Sequence, residues 1–414
     1  MVPEGWVHTT FGEHIDCLTG FAFKSSGYSA NEEDVRLLRG DNIEPGNLRW
    51  NGAKFWPSSE LDSLERYHLL EGDFVIAMDR TWITAGLKVA EIQKSDLPCL
   101  LVQRVARVRA RASLEQSLLR QYFSGNRFGQ YVKSVQTATA VPHISPNDIK
   151  EFSVALPPLP EQKKIAQILS TWDKAITTTG QLLVNSQQQK KALMQQLLTG
   201  PHPSKPRLLD ENGVRFGGEW ETVKISEVCD VRRGASPRPI KDPKWFSNSG
   251  RGWIRISDVT ASPTNQLLHT TQYLSDEGAS SSVCVDPGDL VMSICGTIGV
   301  PKFIGIPACI HDGFVVFRKC KKGLVLDFLY HYLDFISEIL ASGGQPGTQK
   351  NLNTSIVGNT RMPWVSSEEQ QKIASILSTA DQEITVLQNK LSVLKQEKKA
   401  LMQQLLTGKR RVIN

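Results

Sequence analysis

The chain has 414 residues, of which 40% are hydrophobic and 22% are charged. That length is enough for two cores of about 150 residues each in addition to long helices. The sequence contains no apolar run near the roughly 20 residues of a membrane span, and its start, MVPEGWVHTT, lacks the basic and apolar segments of a signal peptide. We therefore expect a cytoplasmic protein with no membrane partner.

The formal net charge is +6, distributed as −2 over residues 1–160, +3 over 161–200, +2 over 201–366 and +3 over 367–414. A protein that coats nucleic acid non-specifically would normally be more basic than this. If the chain binds DNA, it must therefore use local patches and contacts to base edges.

The seven cysteines are odd in number and include no C-x-x-C pair. This pattern favours free thiols in a reducing compartment over a disulfide framework or a zinc site. We expect the chain to bind no metal.

Residues 1–158 are predicted to form a first globular lobe. Gly72-Asp73 precedes the apolar run Phe74-Val75-Ile76-Ala77, which is typical of a turn that leads into a strand. Short strands separated by Gly and Pro continue through the region. The lobe is expected to be α/β or α+β.

Residues 159–200 are predicted to form a long helix, about 60 Å for forty residues at 1.5 Å each. Its apolar residues recur at steps of three and four, which is typical of a coiled-coil seam. Thr179, Ser186 and Lys190 interrupt that seam, and Gly200 suits a left-handed cap before Pro201. The predicted seam residues are Ile165, Leu169, Trp172, Ile176, Leu183, Leu193 and Leu197.

After a linker at 201–218, the plan occurs again as a second lobe at 219–365, a second helix at 366–408 and a basic tail at 409–414. Residues 161–200 and 369–408 align without a gap, and 25 of the 40 positions are identical. Lys398 interrupts the second seam where Lys190 interrupts the first. The second seam is predicted at Ile373, Leu377, Ala380, Ile384, Leu387, Leu391, Leu394, Leu401 and Leu405.

The lobes also repeat, but only at framework positions, and most of the sequence between those positions differs. One scaffold with two different surfaces is what a reader of two different half-targets would need. The matched pairs are Trp6 and Trp220, Gly20 and Gly234, Arg39 and Arg255, Asn42 and Asp258, Gly72 and Gly288, and Asp73 and Asp289.

Two helices in one repeated chain can pack on each other antiparallel, which would place the lobes at opposite ends, related by a pseudo-twofold axis. The helices would then act as a ruler between two matched surfaces. The alternative is a plain dimerisation zipper.

Taken together, these motifs resemble the specificity (S) subunit of type I restriction-modification systems over essentially the whole chain. The motifs are Trp-x4-hydrophobic-Gly/Ser-Glu at each lobe start, the Gly-Asp turns, Leu156-Pro157-Pro158-Leu159-Pro160-Glu161-Gln162-x-x-Ile165-Ala166 at the first helix start, and Leu-Leu-Thr-Gly at both helix ends. The second helix start departs from this pattern, with one proline and an extra residue.

The resemblance implies two pseudo-repeated α/β (α+β) target recognition domains, each followed by a long helix, with the helices paired as an antiparallel coiled coil. Each lobe would read one half of a split double-stranded DNA sequence. The paired helices would separate the lobes and dock methyltransferase (modification) subunits, and restriction (translocase/nuclease) subunits would complete the system. S-adenosylmethionine, ATP and Mg would be bound by those partners.

Motifs of catalysis are absent from the sequence, which predicts that the chain is not an enzyme. It has no Asn/Asp-Pro-Pro-aromatic motif, no G-x-x-x-x-G-K-[ST] loop and no H-E-x-x-H. Asp148 with Glu161-x-Lys163 formally resembles a nuclease motif, but a carboxylate at a helix N-terminus explains Glu161 better. The alternative function is a non-catalytic coiled-coil scaffold that does not read DNA.

Candidate DNA contacts are basic residues in Gly-rich segments that differ between the lobes, and polar residues late in each lobe. Arginine suits guanine edges and phosphates, whereas the amide side chains suit adenine. Arg107, Arg109 and Arg111 alternate and are expected to lie on a solvated strand face. The candidates are Lys24, Arg80, Lys88, Gln136, Thr139, Arg232, Arg233, Arg238, Lys241, Lys244, Gln345, Thr348 and Lys350.

Overall fold

The computed structural model describes residues 3–136, 142–200, 207–342 and 352–412. The chain divides into two compact units, Met1–Thr178 with Leu391–Asn414 and Thr179–Lys390. Each unit therefore contains one lobe and one half of each long helix. Within the described ranges, no helix is both long enough and apolar enough to cross a membrane.

The described part of the first lobe contains thirteen short strands and four short α-helices. The strands are β1 Val7–Thr10, β2 Ile15–Thr19, β3 Val35–Leu38, β4 Ile43–Glu44, β5 Asn47–Leu48, β6 Lys54–Trp56, β7 Phe74–Ala77, β8 Trp82–Ile83, β9 Gly86–Leu87, β10 Val89–Glu91, β11 Cys99–Leu101, β12 Val105–Ala110 and β13 Ser153–Leu156. The helices are α1 Phe11–His14, α2 Gln116–Ser124, α3 Asn126–Val135 and α4 Pro146–Lys150.

Two sheets form the body of this lobe. An antiparallel sheet has the order β10-β7-β12-β2, and a second sheet has the order β11-β3-β6 with β11 parallel to β3. Strand β7 is buried along its whole length because both of its faces are covered. Phe74 and Ile76 pack with the helices on one face, and Val75 and Ala77 pack between the two sheets on the other. The predicted strand after Gly72-Asp73 is this central strand.

The long helix that follows the first lobe is α5, Leu159–Leu198.

The second lobe repeats the layers of the first. Its strands are β14 Glu221–Lys224, β15 Asp230–Arg233, β16 Phe246–Ser247, β17 Arg251–Ile254, β18 Gln266–Leu267, β19 Tyr273–Leu274, β20 Val283–Val285, β21 Leu290–Ser293, β22 Pro301–Ile304, β23 Ala308–Ile310, β24 Phe314–Arg318 and β25 Arg361–Trp364. Its helices are α6 Ile225–Val228, α7 Ile256–Ala261, α8 Asp276–Ser280, α9 Leu326–Ser342 and α10 Thr354–Asn359, and the second long helix is α11 Ser367–Leu405.

The two sheets of this lobe have the orders β15-β24-β21-β22-β18 and β16-β19-β17-β23-β20. Strand β21 corresponds to β7 of the first lobe, and the parallel pair β17 and β23 corresponds to β3 and β11. Leu290 and Met292 face the helices, and Val291 faces the other sheet. The predicted pair of pseudo-repeated α/β lobes, each followed by a long helix, is confirmed.

In each unit, the halves of α5 and α11 pack antiparallel. In the second unit Ser186 Oγ donates to Glu383 at 3.0 Å, and Lys190 Nζ lies 2.7 Å from Asp381. Residue numbers therefore increase along one helix as those of their partners decrease along the other. All sixteen predicted seam residues are buried or half-buried. The predicted antiparallel packing of the helices is confirmed.

The lysines that interrupt the seam are paired across the helices. Lys398 Nζ lies 2.5 Å from Asp173, and Lys190 contacts Asp381, which is the repeat equivalent of Asp173. Burial of an unpaired ammonium would be costly, so these reciprocal ion pairs favour the observed register over others.

Candidate nucleic-acid interface

Four backbone hydrogen bonds define a corner in the first lobe where several strand ends meet. Gly20 N donates to Val105 O and Phe21 N to Leu101 O. Met78 N donates to Arg104 O, and Ile144 N to Met78 O. We call residues 20–21, 78–80, 101–105 and 142–144 the first corner.

The second lobe makes the same four bonds in the same order. Gly234 N donates to Phe314 O, Ala235 N to Ile310 O, Ile294 N to Gly313 O, and Leu352 N to Ile294 O. We call residues 233–238, 294–296, 310–314 and 352 the second corner. The backbone is therefore conserved between the two corners, which fixes which residues are equivalent.

The same glycine is required at both corners by close packing. A Cβ on Gly20 would lie 2.3 Å from the carbonyl of Val102, and a Cβ on Gly234 would lie 2.1 Å from the carbonyl oxygen of His311. No side chain fits so close to backbone atoms, so these matched glycines hold each corner closed.

The side chains of the first corner are organised by Asp79. Arg104 Nη1 donates to Asp79 Oδ2 at 2.6 Å, and His143 Nδ1 lies 2.6 Å from Asp79 Oδ1. Burial would raise the pKa of Asp79, but the hydrogen bonds from His143 and Arg104 lower it overall. The carboxylate therefore stays ionised and holds the guanidinium in place.

Arg80 occupies a strained position in the first corner. Its φ is +47°, in the left-handed region that disfavours most side chains, and its equivalent in the second corner is Gly296 with a φ of +67°. The amide of Arg80 donates to Pro142 O at 2.8 Å, and its side chain is exposed. A strained, exposed cation where glycine would suffice indicates a functional role for the side chain.

Asp312 has the equivalent role in the second corner. Its Oδ1 accepts a hydrogen bond from Ser236 Oγ at 2.5 Å, and its Oδ2 lies 3.4 Å from Arg238 Nη2. Its carbonyl oxygen accepts from Arg233 Nε at 2.7 Å. The hydrogen bond from Ser236 is the largest cause of the lowered pKa of Asp312, and neighbouring His311 and Arg238 lower it further.

Three of the predicted DNA contacts, Arg80, Arg233 and Arg238, thus lie at the corners. Lys24, Arg232 and Lys241 are exposed elsewhere on the lobes. Gln136 caps the C-terminal end of α3. Thr139, Gln345, Thr348 and Lys350 lie outside the described residues.

Two further predicted contacts have local roles. Lys244 lies 3.3 Å from Glu277 and over the ring of Trp245, so its ammonium is already engaged. Lys88 is only 8% exposed, and its burial lowers the pKa of its ammonium. A lysine this buried is poorly placed to reach a phosphate.

The expectation that the alternating arginines lie on a solvated strand face is wrong for Arg107. Its side chain is buried and its guanidinium donates to Asp16 and to the carbonyl of Arg66. Arg109 forms a two-point contact with Asp73, which fixes the Gly-Asp turn to the sheet. These arginines stabilise the scaffold.

Four residues of the corners were not predicted from the sequence: Asp79, Arg104, His311 and Asp312. The alignment of Gly72 with Gly288 could have helped, because its extension pairs Arg80 with Gly296 and so marks Arg80 as a position suited to glycine. Nothing local marks the Arg104 contact, because Arg104 and Asp79 are 25 positions apart. The residues of the nuclease-like motif have structural roles instead: Asp148 caps α4 with Ser145, and Glu161 accepts from Trp6 and Arg411.

Metal binding has no support in the described part of the chain, where no group of three or more His, Cys, Asp or Glu residues could hold an ion. Cys295, in the second corner, is half-buried, and burial raises the pKa of its thiol. A raised thiol pKa disfavours the thiolate that a nucleophile needs.

The fold defines a protein of two repeated α/β lobes joined to an antiparallel pair of long helices. Residues 3–185 and 217–396 each match the family described as the type I restriction modification DNA specificity domain. Because these matches cover most of the chain, the chain belongs to that family, and the resemblance seen in the sequence is confirmed.

Individual relatives agree with the family match. The chain is 36% identical over 183 residues to the type I restriction enzyme EcoAI specificity subunit of Escherichia coli, a match covering 44% of this chain and 30% of that protein. It is 28% identical over 302 residues to the MjaVIII specificity subunit of Methanocaldococcus jannaschii, covering 69% and 68%. The EcoBI specificity subunit of Escherichia coli is 23% identical over 392 residues, covering 90% and 78%.

Solved structures share the fold. The type I restriction-modification S subunit from M. genitalium superposes with a TM-score of 0.63 at 13% identity, over 98% of this chain and 96% of that one. A chain from a structure of the type I R-M system, solved to explain its complex assembly and conformational transition, gives a TM-score of 0.58 at 19% identity, over 99% and 100%.

Proposed function

We propose that this chain is the sequence-reading subunit of a type I restriction-modification complex, and that each lobe reads one half of a bipartite DNA target. The observation that carries the proposal is the pair of corners, which share backbone hydrogen bonds but differ in side chains. A shared scaffold with different exposed cations suits two readers of different half-sites. The family match supports the same function.

The chemistry of modification and cleavage is assigned to other subunits. This chain would dock methyltransferase and restriction subunits, and those partners would bind S-adenosylmethionine, ATP and Mg. Such a complex would act on DNA in the cytoplasm. The expectation that the paired helices set the number of base pairs between the half-sites stays a prediction.

The rival function is a coiled-coil scaffold that does not read DNA. The exposed, aspartate-anchored arginines favour the DNA reader, because a scaffold has no need to hold exposed guanidinium groups in fixed orientations. The strained, exposed Arg80 also favours the DNA reader.

A competition experiment separates the two functions. The target is first mapped by methylome sequencing of a host that carries the complete system, and the full chain with its modification subunits is then bound to a duplex with that target at physiological salt. If the chain reads DNA sequence, this duplex should stay bound in the presence of a scrambled duplex or heparin. If the scrambled duplex and heparin displaced the labelled target as readily as unlabelled target does, only non-specific attraction would remain, and the proposed reading of DNA sequence would be contradicted.

A second test concerns catalysis. The highly purified chain without partners should transfer no methyl group to target DNA, whereas the complete complex should. Methyl transfer by the isolated chain would contradict the assignment of chemistry to the partners.

A further inference from the structure

Arg104 and Arg238 combine exposure with a fixed orientation. Their side chains are 70% and 69% exposed, yet each guanidinium contacts an aspartate at a corner. A free surface arginine loses rotamer entropy when it binds a ligand, and a tether that already restricts the side chain reduces that cost.

Each aspartate divides its two oxygens between an anchor and an arginine. In Asp79, Oδ1 contacts His143 and Oδ2 accepts from Arg104. In Asp312, Oδ1 accepts from Ser236 and Oδ2 lies by Arg238. The anchor on one oxygen fixes the direction of the other, so the arginine is aimed as well as tethered.

The contacts leave donors available on both guanidinium groups. Arg104 uses Nη1, and its Nε and Nη2 have no hydrogen-bond partner among the described residues. Arg238 uses Nη2, and across the same ranges its Nε and Nη1 have none. In Arg104 the free Nε and Nη2 lie on one edge of the guanidinium, and two parallel N–H donors of this kind match the O6 and N7 acceptors of a guanine in the major groove. In Arg238 the Nε–H and Nη1–H groups point apart, so the second N–H of Nη2 must complete such a fork with one of them.

The two arrangements are built from non-equivalent residues. The equivalent of Asp79 in the second lobe is Cys295, and the equivalent of Asp312 in the first lobe is Gln103, as the shared backbone hydrogen bonds determine. Inheritance of one ion pair from a common ancestral lobe therefore does not explain both. Both lobes therefore place an oriented, exposed arginine at the same corner by different means, which favours a function for that arginine.

On the basis of the proposed function, we propose that Arg104 in the first lobe and Arg238 in the second are guanine-reading residues, and that Asp79 and Asp312 are the positioning residues that aim them. Each pair determines the preferred base at one position of its own half-site.

The second lobe supplies a matched control. Arg251 begins β17, at the end of that strand opposite the corner, and its Nη1 lies 2.8 Å from Asp286. In the described structure Asp286 Oδ2 has no anchoring hydrogen bond. Arg251 is half-buried and its Nη1 also donates to Val285 O, but the pair has the same composition and lacks both the corner and the anchor, so its removal reports the effect of losing an ordinary ion pair of this lobe.

The test measures binding of the full chain, with its modification subunits, to the mapped target and to duplexes changed at each recognised base pair. Arg238→Lys keeps the charge but removes the fork of donors. It should reduce discrimination about 5- to 150-fold at one guanine of the second half-site and leave the salt dependence unchanged. Arg104→Lys should do the same in the first half-site only, and Arg251→Lys should change neither.

The positioning role has its own readout. Asp312→Ala should lower discrimination at the position that Arg238 reads, and Asp312→Glu should recover part of it because the longer carboxylate can still reach the guanidinium. Asp286→Ala should have no effect. Thermal unfolding of every variant checks that the lobes remain folded.

Three outcomes would overturn the proposal. Arg238→Lys could leave discrimination intact at every base pair. Arg238→Ala could weaken binding equally on all sequences and reduce the salt slope by about one, which marks a phosphate contact. The second half-site could also contain no guanine pair. In each case specific binding by the unaltered complex would leave the proposed function standing, whereas the absence of specific binding would contradict the proposed function itself.

Discussion

The two lobes share the contacts that hold each lobe together, including the backbone of the corners, and differ in the exposed side chains that the corners carry. Asp73 with Arg109 in the first lobe and Asp289 with Arg318 in the second fix the same turn to the same strand. At the corners, by contrast, Arg80 stands where the second lobe has Gly296. Since packing constrains the shared contacts and not the exposed side chains of the corners, those side chains are free to differ, and they are where a difference in target would be expressed.

The start of each long helix shows how strict the shared part is. Gln162 Nε2 donates to Ser113 O and Pro157 O, and its Oε1 accepts from Glu115 N. Gln370 makes the equivalent three bonds to Gly323 O, Val365 O and Val325 N, despite the different sequence before it. The departure from the proline-rich pattern thus leaves the junction unchanged.

A second difference lies where the lobes meet the helices. Gln121 Nε2 donates to Asp173 at 2.8 Å, whereas the equivalent His331 lies 3.8 Å from Asp381. In the first lobe the helix is broken at Gly125 into α2 and α3, and in the second lobe α9 continues. The contacts that α2 and α9 make with the long helices therefore differ in their titratable groups.

The largest effect is expected from Gly234→Ala. The added Cβ would meet backbone atoms of His311 that cannot move aside, so we expect a loss of about 3 kcal/mol in the free energy of unfolding. Gly20→Ala should destabilise the first lobe similarly. Thermal or denaturant unfolding measures the effect, with Gly217→Ala, which meets no atom within 4 Å, as the control. A mild effect at Gly234 would mean that the corner is not closely packed.

Gln370→Leu is expected to cost about 2 kcal/mol, because three hydrogen bonds are lost and two carbonyls and an amide are left without this partner. Gln162→Leu should match it, since both residues make the same bonds. Gln371→Leu, at an exposed neighbouring position, is the control in denaturant unfolding. A clear difference between the two buried variants would contradict the equivalence of the junctions.

His331→Gln should change the pH dependence of stability. Burial, followed by the nearby charge of Lys190, lowers the pKa of His331 to about 4, whereas Asp334 opposes this shift. An unfolded histidine has a pKa near 6.5, so the unfolded chain binds a proton between these values that the folded chain does not. With respect to His331, the unfolding free energy is therefore at its full value above about pH 6.5 and falls as the pH drops towards 4.

The variant replaces His331 with the glutamine that the first lobe already has. The wild type should lose roughly 2 kcal/mol more unfolding free energy between pH 7 and pH 5 than His331→Gln does. Asp381, with a raised pKa, and the neighbouring Lys302 and Tyr330 are present in both proteins. Equal pH dependence in the two proteins would show that His331 does not titrate as this environment requires.

Arg80→Gly should have the smallest effect on stability and a clear effect on binding. Glycine adopts this positive φ without steric strain, so the variant should be as stable as the wild type or more stable by up to about 1 kcal/mol. If the strained side chain contacts DNA, affinity for the target should fall. Unfolding and DNA binding are measured on the same preparation, and unchanged affinity would remove Arg80 from the interface.

The helices and the repeat could be predicted from the sequence because an amphipathic period and a gapless internal match are local signals. The division into units could not, since each unit takes halves of α5 and α11 that are distant in sequence. The burial of Lys88 and Arg107 was also missed, because alternation along a strand does not show which face another sheet covers. The aimed arginines depend on contacts between loops, which carry no period.

Each lobe is proposed to read its own half-site. Replacing residues 1–158 with the first lobe of a related chain, in a host with the complete system, and sequencing the methylome tests it directly. The account predicts that one half of the methylated sequence changes and that the half read by the second lobe is retained. A change in both halves would contradict the account and would mean that the chain reads DNA through a single composite surface.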